Sequence, residues 1–204
     1  LFDQKILRNF YIDYDASFFN KKHKYIEGFF QSEKNFIEVK DKVIESFTLK
    51  EEYISENFLK EKNKIDKENS VSIHIRRGDY VKEETTSKRF NVYSKGYYDE
   101  AMELIKSKID SPIFYFFSDD IEWVKKEFGE QENFHFVSNG KLEDYEELLL
   151  MSTCNHNIIA NSSFSWWGSY LAKSKKTIAP KLWFGETMSD KDYSNIYRES
   201  WITL

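Results

Sequence analysis

A chain of 204 residues that is 40% hydrophobic and 32% charged can bury a core, so it is neither a linker nor a disordered tail. Its net charge of −5 excludes a globally basic surface, and with it nucleic acid as the main partner. A single cysteine, Cys154, excludes an intrachain disulfide and points to a reducing compartment.

The first third of the chain differs from the rest. Residues 11–30 are aromatic and irregular, with Tyr11, Tyr14, Phe18, Phe19, Tyr25, Phe29 and Phe30. Apolar residues at helical spacing predict helices over 35–47 and 50–62. The hydrophilic run 60–69 sets the expected boundary between a unit 1–68 and a domain 69–204. From there strand and helix alternate. Val71–Ile75 is a short β-branched strand, and Ser94 is expected to cap a helix over 96–108 with Tyr97, Ala101, Leu104 and Ile105 on one face. The apolar run Ile113–Phe117 has the character of a strand covered on both faces. Asp119 or Asp120 is expected to cap the next helix, which runs through Phe128. Further strands are expected at 134–137, 157–160 and 177–179, with helices at 142–154 and 164–173.

This alternation predicts an α/β fold, a Rossmann-like parallel sheet with right-handed crossovers. Ligands of such sheets bind beyond the carboxyl ends of the strands. No run approaches the ~20 apolar residues of a membrane helix, and no basic-then-apolar leader opens the chain. The start at Leu1 rather than Met is read as processing or truncation.

Three polar clusters fall at predicted strand ends: His74 to Tyr80, Ser118-Asp119-Asp120 and Asn161-Ser162-Ser163. Arg76 and Arg77 are adjacent, so alternation sends one toward a ligand crevice and the other toward a carboxylate. A guanidinium fork holds phosphate with two parallel donors and keeps its charge at any working pH. Asn161-Ser162-Ser163 opens a helix whose free N–H groups suit an anion, although the serines also read as ordinary caps. Phe164, Trp166 and Trp167 read as packing of that helix on the sheet, and Cys154 as a small buried residue rather than a nucleophile.

Other signals carry less. Arg77-Gly78-Asp79 spells an adhesion tripeptide but follows a strand instead of sitting at a loop tip. Asp13-Tyr14-Asp15 and Asp190-Lys191-Asp192 match the Asp-x-Asp of metal-using sugar transferases, yet neither follows a clean apolar strand. The histidines at 23, 74, 135 and 156 lack zinc-ligand spacing.

The segment His74-Ile75-Arg76-Arg77-Gly78-Asp79-Tyr80 resembles the signature of the α-1,2-fucosyltransferases of glycosyltransferase family 11. Its core also resembles that of α-1,6- and protein O-fucosyltransferases. Phe117-Ser118-Asp119-Asp120 with Trp123 is similar to the family's second motif, and the stretch from Asn161 to Gly168 to its third. The stretches 28–34, 179–184 and 199–202 resemble family segments as well, whereas the family's opening Gly-x-Gly-Asn-Gln-x-Phe loop is absent. The resemblance implies the donor half of a two-Rossmann-domain (GT-B) transferase, with 1–68 as the remnant of the acceptor-side domain.

It further implies inverting transfer of L-fucose from GDP-β-L-fucose to a galactose 2-hydroxyl, without an obligatory metal or other cofactor, in glycan biosynthesis. By resemblance Arg76 contacts the diphosphate, His74 positions the guanine nucleotide, and Ser163 with Asn161 and Ser162 meets the phosphates. Glu147 stands where the family usually has a guanine-contacting Asp. Asp119 is expected to bind ribose or to cap its helix. The acceptor proton goes to a carboxylate, with Asp79 first and Glu84 second, since related α-1,6 enzymes place a glutamate ten residues after the motif histidine. Either also reads as a structural partner of Arg77. The alternatives are a GDP-binding module without transferase activity and a glycoside hydrolase using Asp79 and Asp119. A bacterial cytoplasmic setting is expected, with membrane association through a missing N-terminal anchor as its variant.

Overall fold

The computed structural model describes residues 6–9, 25–28, 31–173, 175–185, 187 and 192–204. The aromatic residues at 11–24 and 29–30, the Asp13-Tyr14-Asp15 match, His23, and Asp190-Lys191 of the second match lie outside the described residues. The chain forms two compact units, 1–48 with 190–199, and 49–189 with 200–204. The expected boundary at 68/69 falls inside the second.

In the first unit, strand β1 (Ile6–Asn9) pairs in parallel with β2 (Tyr25–Gly28). The helix expected over 35–47 is broken into 3-10 turns at Glu33–Asn35 and Ile37–Val39 and a short helix α1, Lys40–Ser46. The break sits at Phe36, whose φ of −140° is not helical. Arg198 pairs with Glu33 at 3.2 Å within this unit.

The second unit opens with helix α2 (Glu56–Ile65), capped by Ser55, whose hydroxyl oxygen accepts from the Phe58 amide. Strand β3 (Ser70–Ile75) follows, then the short helices α3 (Gly78–Lys82) and α4 (Glu84–Phe90), which the periodicity did not predict. Next come α5 (Lys95–Lys106), β4 (Ile113–Ser118), α6 (Ile121–Phe128) and β5 (Phe134–Phe136). The chain continues through α7 (Asp144–Thr153), β6 (His156–Ile158), α8 (Ser163–Leu171), β7 (Lys176–Ala179) and β8 (Ile202–Thr203). Ser94 stands at the N-cap of α5, but its side chain makes no capping hydrogen bond.

The six strands lie in the order β5-β4-β3-β6-β7-β8, every neighbouring pair parallel. Counted within the sheet this is the doubly wound order 3-2-1-4-5-6, whose direction reverses between β3 and β6. Both faces are covered, which is why β4 reads as an apolar run. Val71, Ile73 and Ile75 join Phe114 and Phe116 beneath α5 and Val124 of α6. Tyr115 and Phe117 face the other way, against Phe58 and Ile65 of α2 and Leu150 and Met151 of α7. Full burial of each such aliphatic side chain contributes about 1.5–3 kcal/mol. Between β3 and β4, His74 lies opposite Phe117 and Ile75 opposite Ser118. Arg76 and Arg77 therefore leave the sheet level with Asp119 and Asp120.

Candidate active site

At the carboxyl ends of these strands lies a cavity of about 350 Å³. His74 and Arg76 reach it from β3, and Ser118 and Asp119 from β4. Ser138, Gly140 and Leu142 line it from the connection after β5, Asp144 and Glu147 from α7, and Phe164 from α8. Thus two of the three sequence clusters converge here.

Arg76 is the centre of the arrangement. Its Nη1 meets Asp119 Oδ2 at 2.9 Å and its Nη2 meets Asp79 Oδ1 at 2.6 Å. Burial alone would lower the Arg76 pKa, but the Asp119 and Asp79 carboxylates outweigh it and hold it above the ordinary value. Asp119 Oδ1 also accepts from the Arg77 amide at 2.9 Å. One carboxylate thus ties down both the guanidinium and the turn that carries it. Gly78 makes this possible, because a Cβ there would run into Asp119 Oδ2.

Arg77 points away. Its Nε meets Asp120 Oδ2 at 3.3 Å and its guanidinium lies 3.6 Å above the Trp123 ring. The partner of Arg77 is Asp120, therefore, and neither Asp79 nor Glu84. Asp120 is also the cap of α6, accepting from the Trp123 amide, so Asp119 is free of that duty.

His74 is buried against the Phe164 ring, with centroids 5.5 Å apart, and its Nδ1 has no hydrogen-bond partner among the described residues. Burial first, and the Arg76 charge second, push its pKa down to about 3, which keeps the ring neutral. Glu147 Oε2 accepts from the Ser138 hydroxyl at 2.6 Å, and Ser138 Oγ in turn accepts from the Ser118 amide at 3.0 Å. Burial raises the Glu147 pKa despite that hydrogen bond.

The other expected residues sit differently. Asn161 is buried, and its amide donates to the Phe90 and Trp183 carbonyls at 2.7 and 2.9 Å. Ser162 caps α8 by accepting from the Phe164 amide, and Ser163 is exposed at the first position of that helix. None of the three lines the cavity. Glu84 is exposed on α4 and pairs with Lys88 at 2.6 Å, away from the cavity lining. Asp79 reaches the site only through Arg76. Trp166 is fully buried and stacks on Tyr170, as packing requires.

No motif in the sequence marks Ser138, Gly140, Leu142 and Asp144. Their signal was positional, since they follow the end of β5 and strand ends are where such sheets bind ligands. Among the described residues, no group of three or more His, Cys, Asp and Glu is placed to hold a metal ion, and no helix is long and apolar enough to cross a membrane.

A doubly wound sheet of this order, with a polar cavity beyond the carboxyl ends of its strands, has the form of a nucleotide-binding domain. The family description "Glycosyl transferase family 11" matches residues 3–204, and the chain belongs to that family. It is 39% identical over 163 residues to an alpha-1,2-colitosyltransferase of Escherichia coli, a match covering 77% of this chain and 55% of that protein. It is 37% identical over 139 residues to the O-antigen biosynthesis glycosyltransferase WbnK of Escherichia coli, covering 67% and 45%. A galactoside 2-alpha-L-fucosyltransferase, Sec1 of Mus musculus, shares 31% identity over 103 residues, covering 50% and 28%. The chain spans about half the length of the two bacterial relatives. No solved structure matches it significantly.

Proposed function

We propose that this chain is the donor-binding part of an inverting α-1,2-fucosyltransferase, which moves L-fucose from GDP-β-L-fucose to the 2-hydroxyl of a galactose-type acceptor in glycan biosynthesis. The observation that carries this reading is Arg76, the one cationic side chain among the described residues lining the cavity, in a chain of family 11. Arg76 is suited to grip the diphosphate, and Ser163 stands exposed at the N-terminus of α8, where an anion is favoured. The neutral His74 ring and the Ser138-held Glu147 carboxylate suit the donors and acceptors of the guanine nucleotide.

In the transfer, the acceptor oxygen forms a bond to the sugar C1 on the face opposite the diphosphate. The C1–O bond to the β-phosphate breaks, and its electron pair leaves with GDP. Arg76 stabilises that charge, a role whose loss typically costs ~2.7–4 kcal/mol of barrier. The acceptor proton passes to the Asp79 carboxylate, with Glu84 as the second candidate.

The test is calorimetry with GDP together with product analysis of transfer from GDP-fucose to galactosides by the full-length protein. Arg76→Ala should weaken GDP binding severely, and equal affinity in variant and wild type would sink the assignment. The 39% identity to a colitosyltransferase favours a colitosyl donor as the second reading, which direct competition between the two donors decides.

A further inference from the structure

The cavity poses an electrostatic problem for any anionic ligand. Arg76 faces Asp119, Asp144 and Glu147 along the described lining, and Asp79 adds a fourth carboxylate directly on the guanidinium. A diphosphate brings further negative charge to a cation that already holds two partners. The two partners are held unequally. Asp119 is tied twice, by Arg76 and by the Arg77 amide, and it fills the space left by the missing side chain of Gly78. Among the described residues the Asp79 carboxylate is hydrogen-bonded by Arg76 alone; it stands in the first turn of the five-residue helix α3 and is more exposed, at 41% against 27% for Asp119. The two carboxylates also use different nitrogens of the fork, so one can leave without loosening the other.

We propose that Asp79 is a displaceable counterion: the donor diphosphate takes its place on Nη2 of Arg76, while Asp119 stays on Nη1 as the positioning residue. This rests on the reading of Arg76 as the diphosphate contact. Released from the guanidinium, the Asp79 carboxylate is free to take another partner.

The two aspartates should respond to substitution in opposite directions. In calorimetry with GDP, Asp79→Asn tightens binding about two- to fivefold, the worth of one partly exposed ion pair. Asp119→Asn weakens it by about tenfold or more, through loss of a charged hydrogen bond and of the orientation it imposes. In the full-length enzyme Asp79→Asn lowers kcat and donor KM together, whereas a merely structural aspartate would leave KM unchanged or raise it. Unchanged or weaker GDP binding in Asp79→Asn overturns the exchange. Wild-type affinity in Arg76→Ala instead overturns the reading beneath it. If Asp79→Asn does not fold, a structure of the wild-type chain with GDP decides: an Arg76–Asp79 hydrogen bond surviving in the complex refutes displacement.

Discussion

At Gly78 one missing carbon atom decides whether Asp119 can lie against the turn that carries Arg76. Alanine there meets a carboxylate tip rather than backbone, so Asp119 swings away and the fold survives. We expect Gly78→Ala to leave thermal stability within about 1 kcal/mol, an ordinary value for a single substitution, while GDP affinity falls. A large drop in Tm would show that the turn itself, and not the ion pair, depends on glycine. Arg77 gives the reverse pattern. Its guanidinium over Trp123 contributes about 0.5–2 kcal/mol, so Arg77→Ala should lower the denaturation midpoint and leave GDP binding intact. The sequence foresaw that the two arginines part company, because alternation at a strand end requires it. It did not show that Arg76 would itself be held by two carboxylates, since Asp79 and Asp119 meet it only through the turn and the neighbouring strand.

Among the elements, β4 is the most legible strand, since its doubly covered run Ile113–Phe117 is apolar and aromatic throughout. The short helices α3 and α4 are not legible, because five and seven residues make too few turns to show an apolar stripe. The sequence of the third motif suggests a phosphate site, and in the structure its asparagine also joins the end of α4 to the loop at Trp183. Asn161 donates to both the Phe90 and Trp183 carbonyls from a buried position, and Asn161→Ala should destabilise by about 1–3 kcal/mol. Chemical denaturation measures this, and a loss confined to GDP affinity would contradict it. The cap of α6 makes a smaller claim. Asp120→Ala removes the acceptor for the Trp123 amide and an ion-pair partner of Arg77, and should cost about 0.5–2 kcal/mol.

For the molecule as a whole, acid should act through His74. Its folded pKa, about 3, lies below the ordinary 6.5 because burial, and then Arg76, disfavour the charged ring. The folded protein thus binds this proton less readily than the unfolded chain. The stability concerned is complete above pH 6.5 and is lost progressively as pH falls toward 3, by at most ~1.4 kcal/mol per pH unit. His156, also lowered by burial and by Lys175 and Lys176, acts in the same direction, while Glu147, raised by burial, opposes both. Urea midpoints measured from pH 7 to pH 4 should fall, and less steeply in His74→Asn; an equal slope in the variant would remove His74 from the account. Fold class was legible at this scale because alternating strand and helix leave few topologies. The division into units 1–48 with 190–199 and 49–189 with 200–204 was not, since a segment that returns after the whole stretch 49–189 leaves no local mark.

The level pairing of β3 with β4 has one more consequence. The run Phe114-Tyr115-Phe116-Phe117 is nearly featureless, so hydrophobicity alone would tolerate β4 slipping along its neighbour in steps of two. Two arginines follow one strand and two aspartates follow the other, and only the observed alignment sets Arg76 beside Asp119 and Arg77 beside Asp120. The four charges therefore work as a vernier, in which a misaligned sheet announces itself as mismatched ions at its rim. A chain that assembled the strands out of step would bury its aromatic rings almost as well, yet would lose the Arg76–Asp119 pair on which the proposed phosphate grip rests.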